Sequence, residues 1–155
     1  MRSPSTRLLD YRRAREARGL HCAADAGEDV FASMEIAVLF ALLQVIDNPR
    51  QDVPLIAVLR SPLFGFTPDA LAALRARQRT GDFYDALLLS EDDHSREFLD
   101  TLDALRNSAA HLSVRELLSE IYRRCNVLGI FGAMRRGAER KENLLAFLEL
   151  SEDYA

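Results

Sequence analysis

Few residues of this sequence have the types and spacing that catalysis or metal binding requires. The three histidines, His21, His94 and His111, are scattered and form no recognisable ligand spacing with each other, a cysteine or an acid. The run Asp92-Asp93-His94 contains donors suited to a cation. It is more typical of a solvated acidic turn that caps the following helix. We therefore expect no metal site.

The two cysteines, Cys22 and Cys125, do not form a catalytic or structural pair. Cys22 follows His21, but neighbouring residues of a strand face opposite sides of a sheet, which disfavours a nucleophile pair. Cys125 is typical of a small core residue, and two distant cysteines indicate a reducing compartment. A glycine-rich phosphate loop and a dinucleotide fingerprint are both missing from the sequence. These residues predict a non-catalytic module without a cofactor of its own.

Arginine pairs are the remaining candidates for contact with phosphate groups. Arg123-Arg124 and Arg135-Arg136 qualify, although basic pairs at helix ends also complement the helix dipole. The whole chain has a net charge of −4 and a pI of about 5.4, whereas a dedicated electrostatic nucleic-acid binder has a pI above about 9. Residues 1–20 carry +4, so residues 21–155 carry −8. Strong binding to nucleic acid by charge alone is therefore disfavoured.

The elements that would position these residues are almost all helices. The 155 residues fit one domain, and apolar residues crowd every face of a helix over residues 31–46. Pro49 and Pro62 end helices, Thr67-Pro68-Asp69 starts one, and Ser113 with Glu116 forms a capping box. Gly129, Gly132 and Gly137 should loosen the chain before a last amphipathic helix. The predicted fold is mainly α, a compact multi-helix unit with one short N-terminal strand at residues 20–24.

Both ends of the sequence favour an excised piece of a larger protein. The short strand has no partner strand elsewhere in the chain, and the last helix has no stop signal before Ala155. No apolar run reaches the roughly 18 residues that a membrane span needs, and the N-terminus lacks the apolar core of a signal peptide. We expect a cytoplasmic location and no contact with a membrane.

One stretch resembles a known family. Residues 46–65, I-D-N-P-R-Q-D-V-P-L-I-A-V-L-R-S-P-L-F-G, are similar to a signature of the AddA (RexA) helicase–nuclease proteins, within the UvrD-like superfamily-one helicases. Gly19 to Cys22 resembles the strand that precedes the family's inserted helical subdomain, called 2B. Gly137, Arg140, Asn143 and Leu144 resemble a glycine–Arg–Asn–Leu pattern late in that insertion. The resemblance covers nearly the whole chain and is strongest over residues 31–90.

The resemblance implies a division of the chain and a role for it. Residues 1–27 would be a stub of the second motor domain, and residues 28–155 the inserted 2B-type subdomain. The family implies an ATP-driven DNA translocase that processes double-strand break ends together with a second subunit. Its ATP and magnesium sites and its nuclease motif fall outside these residues. The fragment alone is therefore expected to hold no cofactor or metal and to perform no catalysis.

The resemblance also suggests which residues touch DNA. In related helicases the 2B subdomain contacts duplex DNA through a loop of the form T-P-x-x-G-I-G. Ser61, Pro62 and Gly65 match its first Thr, its Pro and its first Gly, whereas Thr67 replaces the second Gly. Because glycine permits close approach to a phosphate, that replacement departs from the family pattern. The DNA-binding candidates are Arg60, Ser61, Gly65 and Thr67, through weak and sequence-independent contacts.

Two alternatives to DNA contact remain open. The chain could be a structural or protein-interaction module that contacts the partner subunit without binding DNA. The loop could also be ordinary connecting chemistry between two helices, without any ligand. A stand-alone helical enzyme is disfavoured, because the sequence offers no catalytic constellation.

Overall fold

The computed structural model describes residues 33–152, and within this range the chain is helical and contains no strand. Eight helices follow one another: α1 (Met34–Asp47), α2 (Asp52–Arg60), α3 (Pro68–Arg77), α4 (Phe83–Leu89), α5 (Asp93–Ala109), α6 (Val114–Arg124), α7 (Val127–Gly132) and α8 (Gly137–Glu152). The mainly α prediction is confirmed. The strand predicted at residues 20–24, with the rest of the predicted 1–27 stub, lies outside the described residues.

Two of the helix starts follow the signals in the sequence. Thr67 caps α3, since its Oγ1 accepts a hydrogen bond from the Ala70 amide at 3.0 Å. Ser113 and Glu116 form the expected capping box at the start of α6. The Ser113 Oγ accepts from the Glu116 amide at 3.2 Å, and the Glu116 carboxylate accepts from the Ser113 amide at 3.0 Å. Short-range polar chemistry therefore determines where these helices begin.

The glycine-containing segment before α8 is more ordered than the sequence predicts. Gly129 and Gly132 belong to the short helix α7, and Gly137 is the first residue of α8. A Cβ at position 137 would overlap the carbonyl oxygen of Gly132. Glycine at 137 thus allows the start of α8 to lie directly against the end of α7.

Helix α1 forms the centre of the core. Ten of its 14 residues are buried, and it packs against α2, α5 and α8. Its contacts with α8 advance in the same direction along both helices: Glu35 meets Arg140, and Phe40 meets Phe147 edge to face with ring centroids 5.3 Å apart. The first and last described helices are therefore parallel neighbours.

Among residues 33–152, no helix combines the length and the apolar character that crossing a membrane would demand.

Candidate nucleic-acid interface

The four residues predicted to contact DNA lie in the connection between α2 and α3, here named the 60–67 loop. Arg60 is the last residue of α2 and is exposed. Ser61 is buried with 4% of its surface accessible. Gly65 and Thr67 are both exposed. The fold therefore gives these four residues different roles.

Ser61 holds the loop together from the inside. Its Oγ donates a hydrogen bond to the Val58 carbonyl at 2.6 Å. Its own carbonyl accepts from the amides of Phe64 and Gly65 at 3.2 and 2.8 Å. Because its hydroxyl proton and its carbonyl are engaged inside the protein, Ser61 shapes the turn and does not present its side chain to solvent.

Gly65 is the open point of the 60–67 loop. Its φ of +66° lies in the left-handed region, which L side chains rarely adopt. A Cβ placed at this position would find no atom within 4 Å. The next amide, that of Phe66, donates a hydrogen bond to the Leu59 carbonyl near the end of α2 at 2.9 Å. The backbone at Gly65 is thus exposed to close approach by a ligand.

Thr67 uses its polar atoms on its own helix. Its Oγ1 accepts from the Ala70 amide, and its carbonyl accepts from the Leu71 amide at 3.1 Å. Pro68 has no amide hydrogen, so among residues 68–71 the described contacts leave only the Asp69 amide without an acceptor. Asp69 also carries a negative side chain. The start of α3 is therefore built as a cap and offers little to an anion.

Helix α5 supports the 60–67 loop through His94 and Phe98. The His94 Nε2 lies 2.6 Å from the Phe64 carbonyl oxygen. The same ring stacks on Phe66, with centroids 3.9 Å apart and planes inclined by 15°. Phe98 packs edge to face against Phe64 at 4.9 Å. The loop is thereby fixed against a neighbouring helix by one hydrogen bond and a cluster of aromatic rings.

The basic residues differ in whether acids already neutralise them. Among the described contacts, none pairs the Arg60 guanidinium with an acid. By contrast, Arg123 and Arg124 both pair with Glu120, at 2.5 and 3.2 Å, and hydrogen bonding from Arg123 holds the pKa of Glu120 below its usual value. Arg136 pairs with Glu139 at 2.6 Å. Among the described contacts, Arg60 therefore has a free charge beside an open loop.

The first half of the family signature is engaged in internal contacts. The Asp52 carboxylate accepts from the Phe83 amide at 2.9 Å, which joins the start of α2 to the start of α4. Arg50 donates to Asp82 and Asp85 at 3.1 and 3.0 Å and lies over the Tyr84 ring at 5.4 Å. These polar residues dock α4 onto α2 and leave little for a ligand.

The late glycine–Arg–Asn–Leu pattern is also structural. Arg140 Nη1 and Asn143 Nδ2 donate to the Glu35 carboxylate at 2.7 and 2.9 Å, and Glu35 is 1% exposed. Burial raises the pKa of Glu35, but the hydrogen bonds, led by that from Asn143, outweigh it and leave the pKa below its usual value. The Leu144 carbonyl accepts from the Tyr122 hydroxyl at 2.6 Å. Glu35, Arg140 and Asn143 form the Glu35 cluster, which joins the first turn of α1 to the first two turns of α8.

The remaining candidates from the sequence are Cys125 and the possible metal ligands. Cys125 is half-buried beside the core, and burial raises the pKa of its thiol to about 11, which makes it a poor nucleophile at neutral pH. Within residues 33–152 no three His, Cys, Asp or Glu side chains come close enough together to hold a metal ion.

The contacts by which His94 of α5 supports the 60–67 loop could not be predicted from the local sequence. The run Asp92-Asp93-His94 predicts a solvated turn, but the His94 ring is bound to Phe64 and Phe66, about 30 positions earlier in the chain. Likewise Asp82 stands at the N-cap position of α4 but makes no side-chain cap bond there, and its carboxylate pairs with Arg50. Both pairings join residues distant in sequence, and no short motif could reveal them.

Comparison with known proteins identifies relatives of the chain. No family model matches the sequence. Curated proteins named as the A subunit of an ATP-dependent helicase/nuclease do: that of Clostridium novyi is 36% identical over 143 residues, covering 84% of this chain and 12% of the relative. That of Oceanobacillus iheyensis is 36% identical over 148 residues, which cover 90% of this chain and 12% of the relative. That of Lactobacillus johnsonii is 38% identical over 133 residues, which cover 82% of this chain and 11% of the relative.

The matches extend across most of this chain but across little of each relative. The chain spans about 12% of the length of the curated relatives that it matches. The sequence signature, the late glycine–Arg–Asn–Leu pattern and these identities agree. The chain therefore belongs to the AddA family of ATP-dependent helicase/nuclease proteins and corresponds to one helical segment of its longer members.

Proposed function

We propose that this chain is an accessory, non-catalytic 2B-type subdomain of an ATP-dependent DNA helicase–nuclease that processes double-strand break ends for recombinational repair in the cytoplasm. Residues 28–155 form the inserted helical subdomain, and residues 1–27 are a stub of the second motor domain. ATP and magnesium are handled elsewhere in the parent protein. The 60–67 loop touches the sugar–phosphate backbone of duplex DNA, and a second subunit completes the enzyme.

The observation that carries this proposal is the open backbone at Gly65. An exposed glycine with φ of +66° and no atom within 4 Å of its Cβ position can lie directly against a phosphate. Arg60, at the other end of the same loop, is exposed and supplies a positive charge. Ser61 and Phe66 fix the turn between these two residues. A preformed loop of this kind binds without a large ordering cost.

The charge of the chain limits the strength of such binding. Its net charge is −4, and the exposed face of α5 carries Asp93, Glu97, Asp100 and Asp103. Repulsion between this face and phosphates opposes DNA binding, so one or two backbone contacts give a weak complex, with a slope of log affinity against log salt of only about −1 to −2. The loop therefore positions duplex DNA and does not act as its main anchor.

A charge-only substitution at Gly65 tests the proposal. Asn and Asp both tolerate the left-handed conformation and have the same shape, so Gly65→Asn and Gly65→Asp differ mainly in one negative charge. We expect the anisotropy of a labelled forked duplex at low salt to give a several-fold weaker affinity for Gly65→Asp than for Gly65→Asn. Equal affinities for the two variants would refute contact between this loop and DNA.

Arginine substitutions provide a second arm with a matched control. Arg60→Ala should weaken binding and lower the slope of log affinity against log salt by about one, since one phosphate contact is lost. Arg79→Ala removes the same charge from an exposed position beyond the far end of α3, about 15 Å along that helix. Arg79→Ala should leave the slope nearly unchanged.

The second candidate function is a structural module that contacts the partner subunit without binding DNA. The observation that favours it is the start of α3, where the Thr67 cap and Pro68 leave only the Asp69 amide free among residues 68–71. In this case the chain would co-elute with the partner subunit during size-exclusion chromatography. Arg60→Ala and Gly65→Asp would leave that co-elution intact, and no variant would alter the anisotropy of DNA.

A further inference from the structure

We infer that His94 is a positioning residue for the 60–67 loop, because its ring holds the residues on both sides of Gly65 and so fixes the surface that Gly65 presents. The inference rests on the proposed DNA contact for its functional meaning. The geometry of the loop itself can be measured without DNA.

The His94 ring makes two different contacts with the loop. Its Nε2 lies 2.6 Å from the Phe64 carbonyl oxygen, and because a carbonyl only accepts, Nε2 must carry the hydrogen. Its face lies on the Phe66 ring at 3.9 Å with a 15° inclination. Phe64 and Phe66 are the two neighbours of Gly65. One side chain thus holds the backbone before the glycine and the side chain after it.

Gly65 needs such support because its own contacts are few. Glycine at a positive φ is free to move through a wide region of backbone conformations. It has no side chain to pack, and no atom surrounds its Cβ position. Its amide bonds to the Ser61 carbonyl at 2.8 Å, which closes the turn but does not orient the turn relative to the helices. The Phe66 amide ties the turn to the end of α2 through the Leu59 carbonyl, so its orientation relative to α5 must come from the ring contacts at Phe64 and Phe66 and the bond from His94.

The second aromatic support, Phe98, cannot replace His94. Phe98 meets Phe64 at 4.9 Å and Phe66 at 6.3 Å, both edge to face. These contacts bury apolar surface, but an edge-to-face apolar contact specifies direction less than a hydrogen bond does. His94 combines a flat ring with an N–H at its edge. Phenylalanine at 94 would keep the ring and lose the donor, whereas glutamine would keep a donor and lose the ring.

The experiment compares His94→Phe and His94→Gln with the unchanged chain. The first readout is the hydrogen-exchange rate of the Gly65 amide, together with the ring-nitrogen NMR signals of His94. We expect the Nε2–H tautomer in the unchanged chain and about tenfold faster Gly65 exchange in His94→Phe, with partial recovery in His94→Gln. The second readout is the anisotropy of the forked duplex, which should show about fivefold weaker affinity for His94→Phe.

A control variant separates positioning from loss of stability. Leu128 is half-buried and packs on the core from α7, a helix that lies against α6 and α8. Leu128→Ala should lower the melting temperature while leaving Gly65 exchange and DNA affinity nearly unchanged. If His94→Phe alters these readouts no more than Leu128→Ala does at equal stability, His94 has no positioning role.

The two readouts also distinguish this inference from the proposed function. An Nδ1–H tautomer at His94, or unchanged Gly65 exchange in His94→Phe, would overturn the positioning role whatever happens with DNA. Accelerated Gly65 exchange in a chain that does not bind the duplex would support the positioning role and refute the proposed DNA contact.

Discussion

The two halves of the 46–65 signature use their polar residues in opposite ways. In the first half, Arg50 and Asp52 are engaged with α4, through Asp82, Asp85 and the Phe83 amide. In the second half, Arg60 and Gly65 face outward, and Ser61 supports the turn from within. A family signature can thus contain a structural part and an exposed part side by side. Substitutions in the first part should affect stability, and those in the exposed part should affect ligand binding.

The largest loss of stability should come from the Glu35 cluster, because its contacts with α8 are also structural. Arg140→Ala leaves the buried Glu35 carboxylate without its ion pair but still bonded to Asn143. Because Arg140 is itself partly exposed, the loss should be about 2–3 kcal/mol of unfolding free energy. Urea denaturation at neutral pH measures this loss. DNA affinity at a temperature where the variant remains folded should be unchanged.

A surface pair at the start of α8 is the control for this prediction. Arg136→Ala breaks the exposed pair with Glu139, where both side chains are more than half exposed. Such pairs contribute about 0–1 kcal/mol. If Arg140→Ala destabilised the chain no more than Arg136→Ala does, the Glu35–Arg140 pair would not stabilise the packing of α8 against α1.

A smaller effect is expected at Asp52 in the first half of the signature. Asp52→Ala removes the acceptor of the Phe83 amide at the start of α4 and should cost about 1–2 kcal/mol. Asp52→Asn keeps an oxygen in place and should cost less. Urea denaturation gives both values, and the forked-duplex affinity should not change in either variant. A loss of DNA affinity without a loss of stability would contradict the structural role of this half.

The smallest effect concerns Ser61, which lies in the exposed half but is buried itself. Ser61→Ala removes the hydrogen bond from its Oγ to the Val58 carbonyl and should cost about 1 kcal/mol. Its main-chain carbonyl still accepts from Phe64 and Gly65, so the turn should persist. We expect DNA affinity to stay within about twofold of the unchanged chain. A larger drop in affinity at equal stability would place the hydroxyl in direct contact with the ligand.

Helices and their caps can be predicted from the sequence because their signals are local. Thr67 at the start of α3, and Ser113 and Glu116 at the start of α6, bond to residues three positions away. The short helix α7 is not predictable in this way, since glycines at 129 and 132 favour loops by propensity. Packing of the buried Val127 and Phe131 against the core overrides that preference.

The candidate site is only partly predictable for the same reason. The position of the 60–67 loop follows from the prolines and glycine in the sequence, but the buried state of Ser61 does not, because burial depends on how the loop folds back onto α2. The role of His94 is likewise invisible in the sequence. Its partners lie 28 and 30 residues away, and a histidine in an acidic run resembles a solvated residue.

The parallel arrangement of α1 and α8 has a consequence for how the chain folds during synthesis. Glu35 and Arg140 are separated by 105 positions, so the first described helix leaves the ribosome long before its partner. Until α8 arrives, α1 exposes apolar surface and an unpaired carboxylate, a state prone to wrong association. Native contacts between such distant residues also slow folding. The described unit is therefore expected to complete its fold in one late step, when the last helix closes over the first.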